Sequence, residues 1–550
     1  MSSETPDFVF CSSPLPSHQI VQSTENLVTM APLSRKNQRA LNILGLACLL
    51  VVVYLPDDWL SLNNIRMRQL RLVYLPNEGA YHLDTQATRT LRRHNADHVA
   101  NYDQNNIMRA VKHFPVFTPD LLVFDGDKFE AFGIQRNGSS YMQPIKYSYR
   151  YATTIPLLVR TLKETFPDRF QPGQPVFEML FTHADASNSP CVNHRDCDSS
   201  SFAPLAFFGA TAKDESIFPT VKPFPFTEFV DCMFEYKVNG RETCVWRQKV
   251  NKGVPWDELI DLLVWRGSDY DFMDYDDNFK YQGPQHISPY FDNEWRNASK
   301  EEIINDLTSA PLLEKFNPRW KAVLETLQSE NLQDPWIDAK FVGGYHHESV
   351  RTKLAQKGLN MNGERIGAFE MSNYKYQIDL GGGGGTTREG TIEKLLMPGL
   401  LFHHSTPNMD WFYDMMIPWK HYVPVKCDLS DLKHMMLLAK NQPDRMKLIA
   451  QEATKLGEYL LSKDYMDTAY QDLFVGYMGK LITSYQPTGS WQETAQRYKA
   501  IGFDIFSVAT CSDDIQCIIH GTQNDSKVYQ YRFDAPPDNN VEEDQTVETV

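Results

Sequence analysis

The stretch Tyr374–Val425, YKYQIDLGGGGGTTREGTIEKLLMPGLLFHHSTPNMDWFYDMMIPWKHYVPV, decides the fold class. Tyr374–Leu380 alternates into an apolar end suited to a buried strand, and Gly381–Gly385 lets the backbone approach a ligand closely. A helix follows, with Thr386 as N-cap and Glu389 completing a capping box. Ile392, Leu395 and Leu396 form its buried stripe, and Pro398-Gly399 stops it. Arg388 then falls in the first helical turn. A cation beside the positive end of a helix dipole is unfavourable unless an anion joins it, and free N–H groups with a guanidinium fork suit a phosphate. Gly385, Thr386, Thr387 and Arg388 therefore read as a diphosphate clamp in an α/β domain. A glycine linker ahead of an ordinary amphipathic helix, with Arg388 solvated, is the blander alternative.

Working outward, a second anion-binding element is Arg266-Gly267-Ser268, which closes the apolar strand Leu262–Trp265. Glycine permits close approach, the serine hydroxyl binds phosphate or ribose, and arginine forms bidentate pairs. Earlier still, the strand Pro175–Thr182 runs into Asp185. Acids at the carboxyl ends of strands in open α/β sheets face a cleft, which is the reading for Asp185; a cap on the next turn is the alternative, and His183 is the nearest competing base.

Together these elements resemble glycosyltransferase family 90, which includes capsule-associated xylosyltransferases and Rumi-type protein O-glucosyltransferases. The resemblance is carried by the tyrosine-rich strand Tyr374–Asp379, the small-residue turn to Arg388, Leu400–His403, the aromatic loop Trp411–Tyr413 and Pro418–Val425. It covers about Pro175 to Gln486. It implies two Rossmann-like lobes of GT-B type with a UDP-sugar between them, and the apolar run near the N-terminus puts a single transmembrane helix ahead of them. It also implies inverting, metal-independent transfer of xylose or glucose to a hydroxyl of a protein or glycan, with Asp185 as base. Arg266, Gly267, Ser268, Gly385, Thr386, Thr387 and Arg388 would bind the donor, and no cofactor is needed. Ala184 stands where Rumi-type enzymes carry a basic residue, and the acidic run after Ser268 replaces Ser, Thr and Arg. A catalytically inactive member that binds glycans or proteins is therefore one alternative.

A metal-dependent transferase is another, with Asp-x-Asp sequences at Asp125–Asp127 and Asp269–Asp271. The first reads better as a hairpin turn between Leu121–Phe124 and Phe129–Ile134, because Asp-Gly is a common turn pair, and the second as a solvated acidic loop. The histidine pairs His346/His347 and His403/His404 would point to opposite faces of a strand and make a poor zinc site. Histidines and aromatics, including those of 204–225, are treated as scaffold.

The ends of the chain address its compartment. Ala40–Leu55 is almost uninterruptedly apolar, with Arg35, Lys36 and Arg39 before it and Asp57 and Asp58 after it, the pattern of a signal anchor with a cytoplasmic N-terminus. Its length of ~24 Å suits a thin early-secretory membrane better than an average one. A cleaved signal peptide is the rival reading. The organisation expected is a tail 1–39, membrane span 40–56, stem 57–110, acceptor-side lobe 111–253, donor-side lobe 254–490, an added β segment 491–533 and an acidic tail 534–550. The Golgi or endoplasmic reticulum membrane is the implied address. Asn137, Asn297 and Asn524 begin glycosylation triplets, and Cys191/Cys197, Cys232/Cys244 and Cys511/Cys517 are close pairs suited to disulfides, with Cys427 left over. A net charge of −16 over 550 residues argues against nucleic acid as the main partner.

Overall fold

Five strands of the C-terminal lobe lie parallel in one sheet: β1 Ile260–Gly267, β2 Ile337–Phe341, β3 Tyr374–Asp379, β4 Leu400–His404 and β5 Val423–Val425. Their spatial order is β2-β1-β3-β4-β5. This is the flavodoxin-like doubly wound order, in which the connections reverse direction between β1 and β3 and leave a crevice at the strands' carboxyl ends. Helices α1 Pro318–Ser329, α2 Glu348–Gln356 and α3 Glu389–Leu396 lie in the connections, and α4 Leu432–Asn441 and α5 Pro443–Leu460 follow β5.

The structure is a computed structural model. It describes residues 102–113, 120–137, 148–181, 249–269, 284–343, 346–381, 389–406, 408–511 and 517–520, the short pieces 205–206, 210–211 and 529–530, and single positions between 229 and 244. All belong to the compact unit that contains Asn95–Val550. Asp185, Gly385, Thr386, Thr387, Arg388, Cys191, Cys197, the apolar run 40–56 and the acidic tail lie outside the described residues. Among those described, no helix is long and apolar enough to cross a membrane.

The apolar run Leu400–Phe402 of β4 follows from burial on both faces. Leu400 and Phe402 share a core with Trp320 of α1 and Leu354 of α2, whereas Leu401 between them joins Ile392, Leu395 and Leu396 of α3. The α3 stripe is thus buried as its spacing indicates, and α3 packs on α5. Leu432, Met436 and Ala439 of α4 and Ile449, Ala453 and Leu456 of α5 are buried at helical spacing too. Gly399 is required at the α3–β4 turn, since a Cβ there would stand 2.5 Å from the Tyr374 carbonyl oxygen.

The N-terminal lobe differs from expectation. Asp120–Phe124 and Phe129–Arg136 form the anticipated hairpin, with Asp125 Oδ1 accepting from the amides of Asp127 and Lys128 and Gly126 at φ +102°. Asp125-Gly-Asp127 is therefore a turn. But Phe177–Phe181 runs antiparallel to Asp120–Phe124, and the parallel pairing described in this sheet is the short one with Leu205–Ala206. The helix Ser148–Thr165 connects strands that are not neighbours, so the lobe is a mixed, mainly antiparallel sheet rather than a doubly wound one. Phe503–Cys511 pairs antiparallel with Phe129–Arg136, which makes the C-terminal β segment part of this sheet, not an appendage. The chain also returns to this lobe through Tyr470–Ser484: Tyr470 Oη lies 2.9 Å from Thr161 Oγ1, and Tyr485–Gln486 pairs with Tyr102–Asp103.

Candidate donor site at the carboxyl ends of the parallel strands

The β1 and β3 strand ends are joined by Arg319. Asn317 caps α1 by accepting from Trp320 N at 3.1 Å, and Pro318 at the first helical position presets the turn, so Arg319 stands in the first turn facing the sheet. Its Nη1 donates to Ser268 O at 3.0 Å and to Ser268 Oγ at 3.1 Å, its Nε to Gly381 O at 2.9 Å and its Nη2 to Leu380 O at 3.4 Å. Those carbonyls supply the negative partner that a cation near a helix N-terminus needs. Arg319 also lies over the Trp265 ring, 5.4 Å from its centroid. Sequence reasoning missed this residue, though a cation directly after Asn317-Pro318 is the signal already used for Arg388.

Arg266 has a different environment. It points along the β1–β2 edge, where Nη2 meets Asp338 Oδ2 at 2.6 Å, Nη1 donates to the carbonyls of Trp265 and Asp338, and Nε donates to Glu364 O. Its three nitrogens are thus engaged within the protein, and the pairing follows from β1 lying in register with β2. Gly267 is needed because a Cβ would stand 2.4 Å from Trp265 Cζ2, so its small size serves ring packing. Ser268 stands at the crevice, its Oγ accepting from Arg319 and its O–H left to donate.

Asp269 overturns the solvated-loop reading of the acidic run at that position. It is fully buried, its Oδ2 accepts from the His347 amide at 3.1 Å at the start of α2, and Arg351 Nε lies 3.1 Å away. Burial was invisible because a buried, paired carboxylate and a solvated one look alike in sequence. Asp271 lies outside the described residues. Among those described, no group of three His, Cys, Asp or Glu side chains is placed to hold a metal ion.

At the end of β3 and β4, the two histidines do face opposite sides. His404 Nδ1 accepts from Gly381 N at 3.2 Å and Nε2 donates to Cys427 O at 2.7 Å. Burial pushes its pKa down to about 4, so it stays neutral and staples the first glycine of the run to the sheet. His403 turns the other way, with Nδ1 at 2.6 Å from Asp379 Oδ2. Thr391 of α3 donates to the same oxygen at 2.8 Å, which ties the helix to the strand end. Cys232–Cys244 and Cys511–Cys517 are disulfides, and Cys427, left over in the sequence pairing, is disulfide-bonded as well.

Residues 319–524 match glycosyl transferase family 90. The match begins at Arg319 itself and takes in the glycine run, β3, β4 and β5, but excludes Asp185 and Arg266–Ser268. Among curated proteins, a 154-residue segment is 29% identical to human (Homo sapiens) protein O-glucosyltransferase 3 and covers 28% of each chain. Protein O-glucosyltransferase 2 of Danio rerio is 29% identical over 172 residues, 30% of this chain and 31% of the relative. Protein O-glucosyltransferase 1 of Rattus norvegicus is 26% identical over 163 residues, 29% of this chain and 38% of the relative. The chain thus spans less than two fifths of the length of each of these relatives.

Proposed function

We propose that this protein is a GT-B-like, inverting, metal-independent glycosyltransferase that moves glucose or xylose from a UDP-sugar to a hydroxyl of a protein or glycan. The observation that carries the reading is the β1/β3 switch point, where Arg319, the first residue of the segment that matches family 90, holds Ser268 and Gly381 together at the entrance to the glycine run. Ligands of open α/β sheets bind in such crevices.

In the mechanism, Asp185 takes the proton of the acceptor hydroxyl and the acceptor oxygen attacks the anomeric carbon. The bond to UDP breaks with its electrons on the leaving phosphate oxygen. Thr386, Thr387 and Arg388 at the helix start, with the Gly385 backbone, stabilise that charge. Ser268, freed to donate by its contact with Arg319, offers a hydroxyl to the nucleotide. Gly267 and Arg266, the latter oriented by Asp338, complete this edge of the donor site. No cofactor takes part. Burial and pairing of Asp269 count against an Asp-x-Asp metal mechanism at that position. The disulfides support a secretory compartment, with residues 40–56 anchoring the chain in a Golgi or endoplasmic reticulum membrane.

The full-length protein, supplied with UDP-glucose, UDP-xylose and other UDP-sugars with and without EDTA, tests the reading. UDP release that survives EDTA and disappears in Asp185→Asn supports it. Absence of both release and UDP binding sinks it, and loss on chelation replaces it with metal-dependent transfer.

A further inference from the structure

Two adjacent histidines at the end of β4 are treated differently by the fold. His404 has both ring nitrogens bonded to protein, to Gly381 N and Cys427 O. Among the described residues, His403 has one bonded nitrogen. Its Nδ1 faces Asp379, a carboxylate that is 1% exposed and has three donors around it: Thr391 Oγ1 at 2.8 Å, His403 Nδ1 at 2.6 Å and the His404 amide at 3.0 Å. A carboxylate so surrounded acts as acceptor, which places a proton on His403 Nδ1 and, in the singly protonated ring, leaves the lone pair on Nε2. The ring is held edge-on between Tyr413, at 5.0 Å between centroids, and Tyr422, at 4.9 Å. These contacts keep it from turning.

Nε2 has no hydrogen-bond partner among the described residues, and the side chain keeps 11% exposure. Nε2 is not among the buried polar atoms that lack a partner, so it reaches the surface, where a solvent or ligand hydroxyl can donate to it. Here an imidazole with a set tautomer and a fixed orientation presents an acceptor beside the switch-point crevice. His403 is in register with Asp379, two residues before the glycine run begins at Gly381.

We infer that His403 is a ligand-contact residue whose Nε2 accepts a hydrogen bond from a hydroxyl of the bound nucleotide sugar, with Asp379 as the positioning residue that sets the tautomer. The inference rests on the donor-site reading above. A lone pair on Nε2 accepts from a hydroxyl and has no proton for a phosphate oxygen, so the contact is to a ribose or sugar hydroxyl rather than to the diphosphate.

The test is calorimetric titration of the full-length protein with UDP-glucose and UDP-xylose, using H403F and H403Q. Phenylalanine keeps the ring between the two tyrosines and removes both nitrogens. Glutamine brings an amide oxygen to about the position of Nε2. H403F should weaken binding of the preferred donor about three- to tenfold, the worth of one neutral hydrogen bond, and should also lower the melting temperature through the lost bond to Asp379. H403Q should recover part of the loss. Equal affinity in H403F and the unsubstituted protein overturns the inference, as does a loss of affinity in H403Q as large as that in H403F. If the unsubstituted protein binds neither UDP-sugar, the donor-site reading falls and this inference falls with it. Binding by the unsubstituted protein with no effect of H403F removes the inference alone.

Discussion

Glu178 gives the protein a stability that declines as the pH rises through neutrality. It lies in the middle of the N-terminal sheet on Phe177–Phe181, with none of its surface exposed. Gln104 Nε2 donates to its Oε1 at 2.5 Å, the Tyr102 hydroxyl donates to its backbone carbonyl, and Tyr485, Tyr498 and Arg497 stand around it. Burial pushes its carboxyl from the ordinary 4.5 up to about 7, against the smaller opposing effects of Gln104, Tyr485 and Arg497. The folded state therefore holds this proton more tightly than the unfolded chain. Its contribution is fully present below pH 4.5 and is lost as the pH rises through about 7. At ~1.4 kcal/mol per unit of pKa difference, the loss amounts to about 3 kcal/mol.

His404 and His421, both pushed down to about 4 by burial, act in the opposite sense, since their contribution disappears as the pH falls from 6.5 towards 4. Subtraction isolates the carboxyl. Denaturant unfolding of the unsubstituted protein and of Glu178→Gln, at steps from pH 5 to pH 8.5, should give a stability difference that shifts in favour of the glutamine variant by about 3 kcal/mol across the range. The glutamine keeps the shape and the contact with Gln104 but has no proton to lose. Parallel stability curves for the two proteins would refute the reasoning, because the buried carboxyl would then not be titrating in this window.

Two further outcomes concern the switch point. Arg319→Ala removes the bonds from one guanidinium to Ser268, Leu380 and Gly381, and should lower stability by roughly 1.5–3 kcal/mol. UDP affinity should fall at the same time, and Arg319→Lys should recover little, because one ammonium cannot span both strand ends; calorimetry and denaturant unfolding read the two effects. Gly267→Ala places a methyl 2.4 Å from Trp265 Cζ2 and should destabilise the protein by about 1–3 kcal/mol, visible as a lower unfolding midpoint.

Legibility from sequence follows the range of the interaction. Tyr374–Asp379, the Asp125-Gly126 turn and the stripe Ile392, Leu395 and Leu396 could be read because dihedral preference and burial periodicity act over a few residues. The pairing of Phe503–Cys511 with Phe129–Arg136 could not, since a strand's own residues do not name a partner hundreds of positions away. The two arginines show the same division. Arg266 has the composition of a phosphate binder, but the register of β1 with β2 sets it against Asp338, while Arg319, in an inconspicuous helix start, is brought to the crevice.

By itself, then, the sequence determined an α/β chain with a glycine run between a buried strand and a helix, and enough local pattern to show its likeness to family 90. Only the tertiary structure decided which cation joins the strand ends, that Asp269 is buried against Arg351, and that His403 and His404 differ in what their second nitrogen meets. The reason is physical. Short-range sterics and hydrophobic period are properties of a segment, whereas charge pairing, desolvation and hydrogen-bond satisfaction depend on neighbours that only folding supplies.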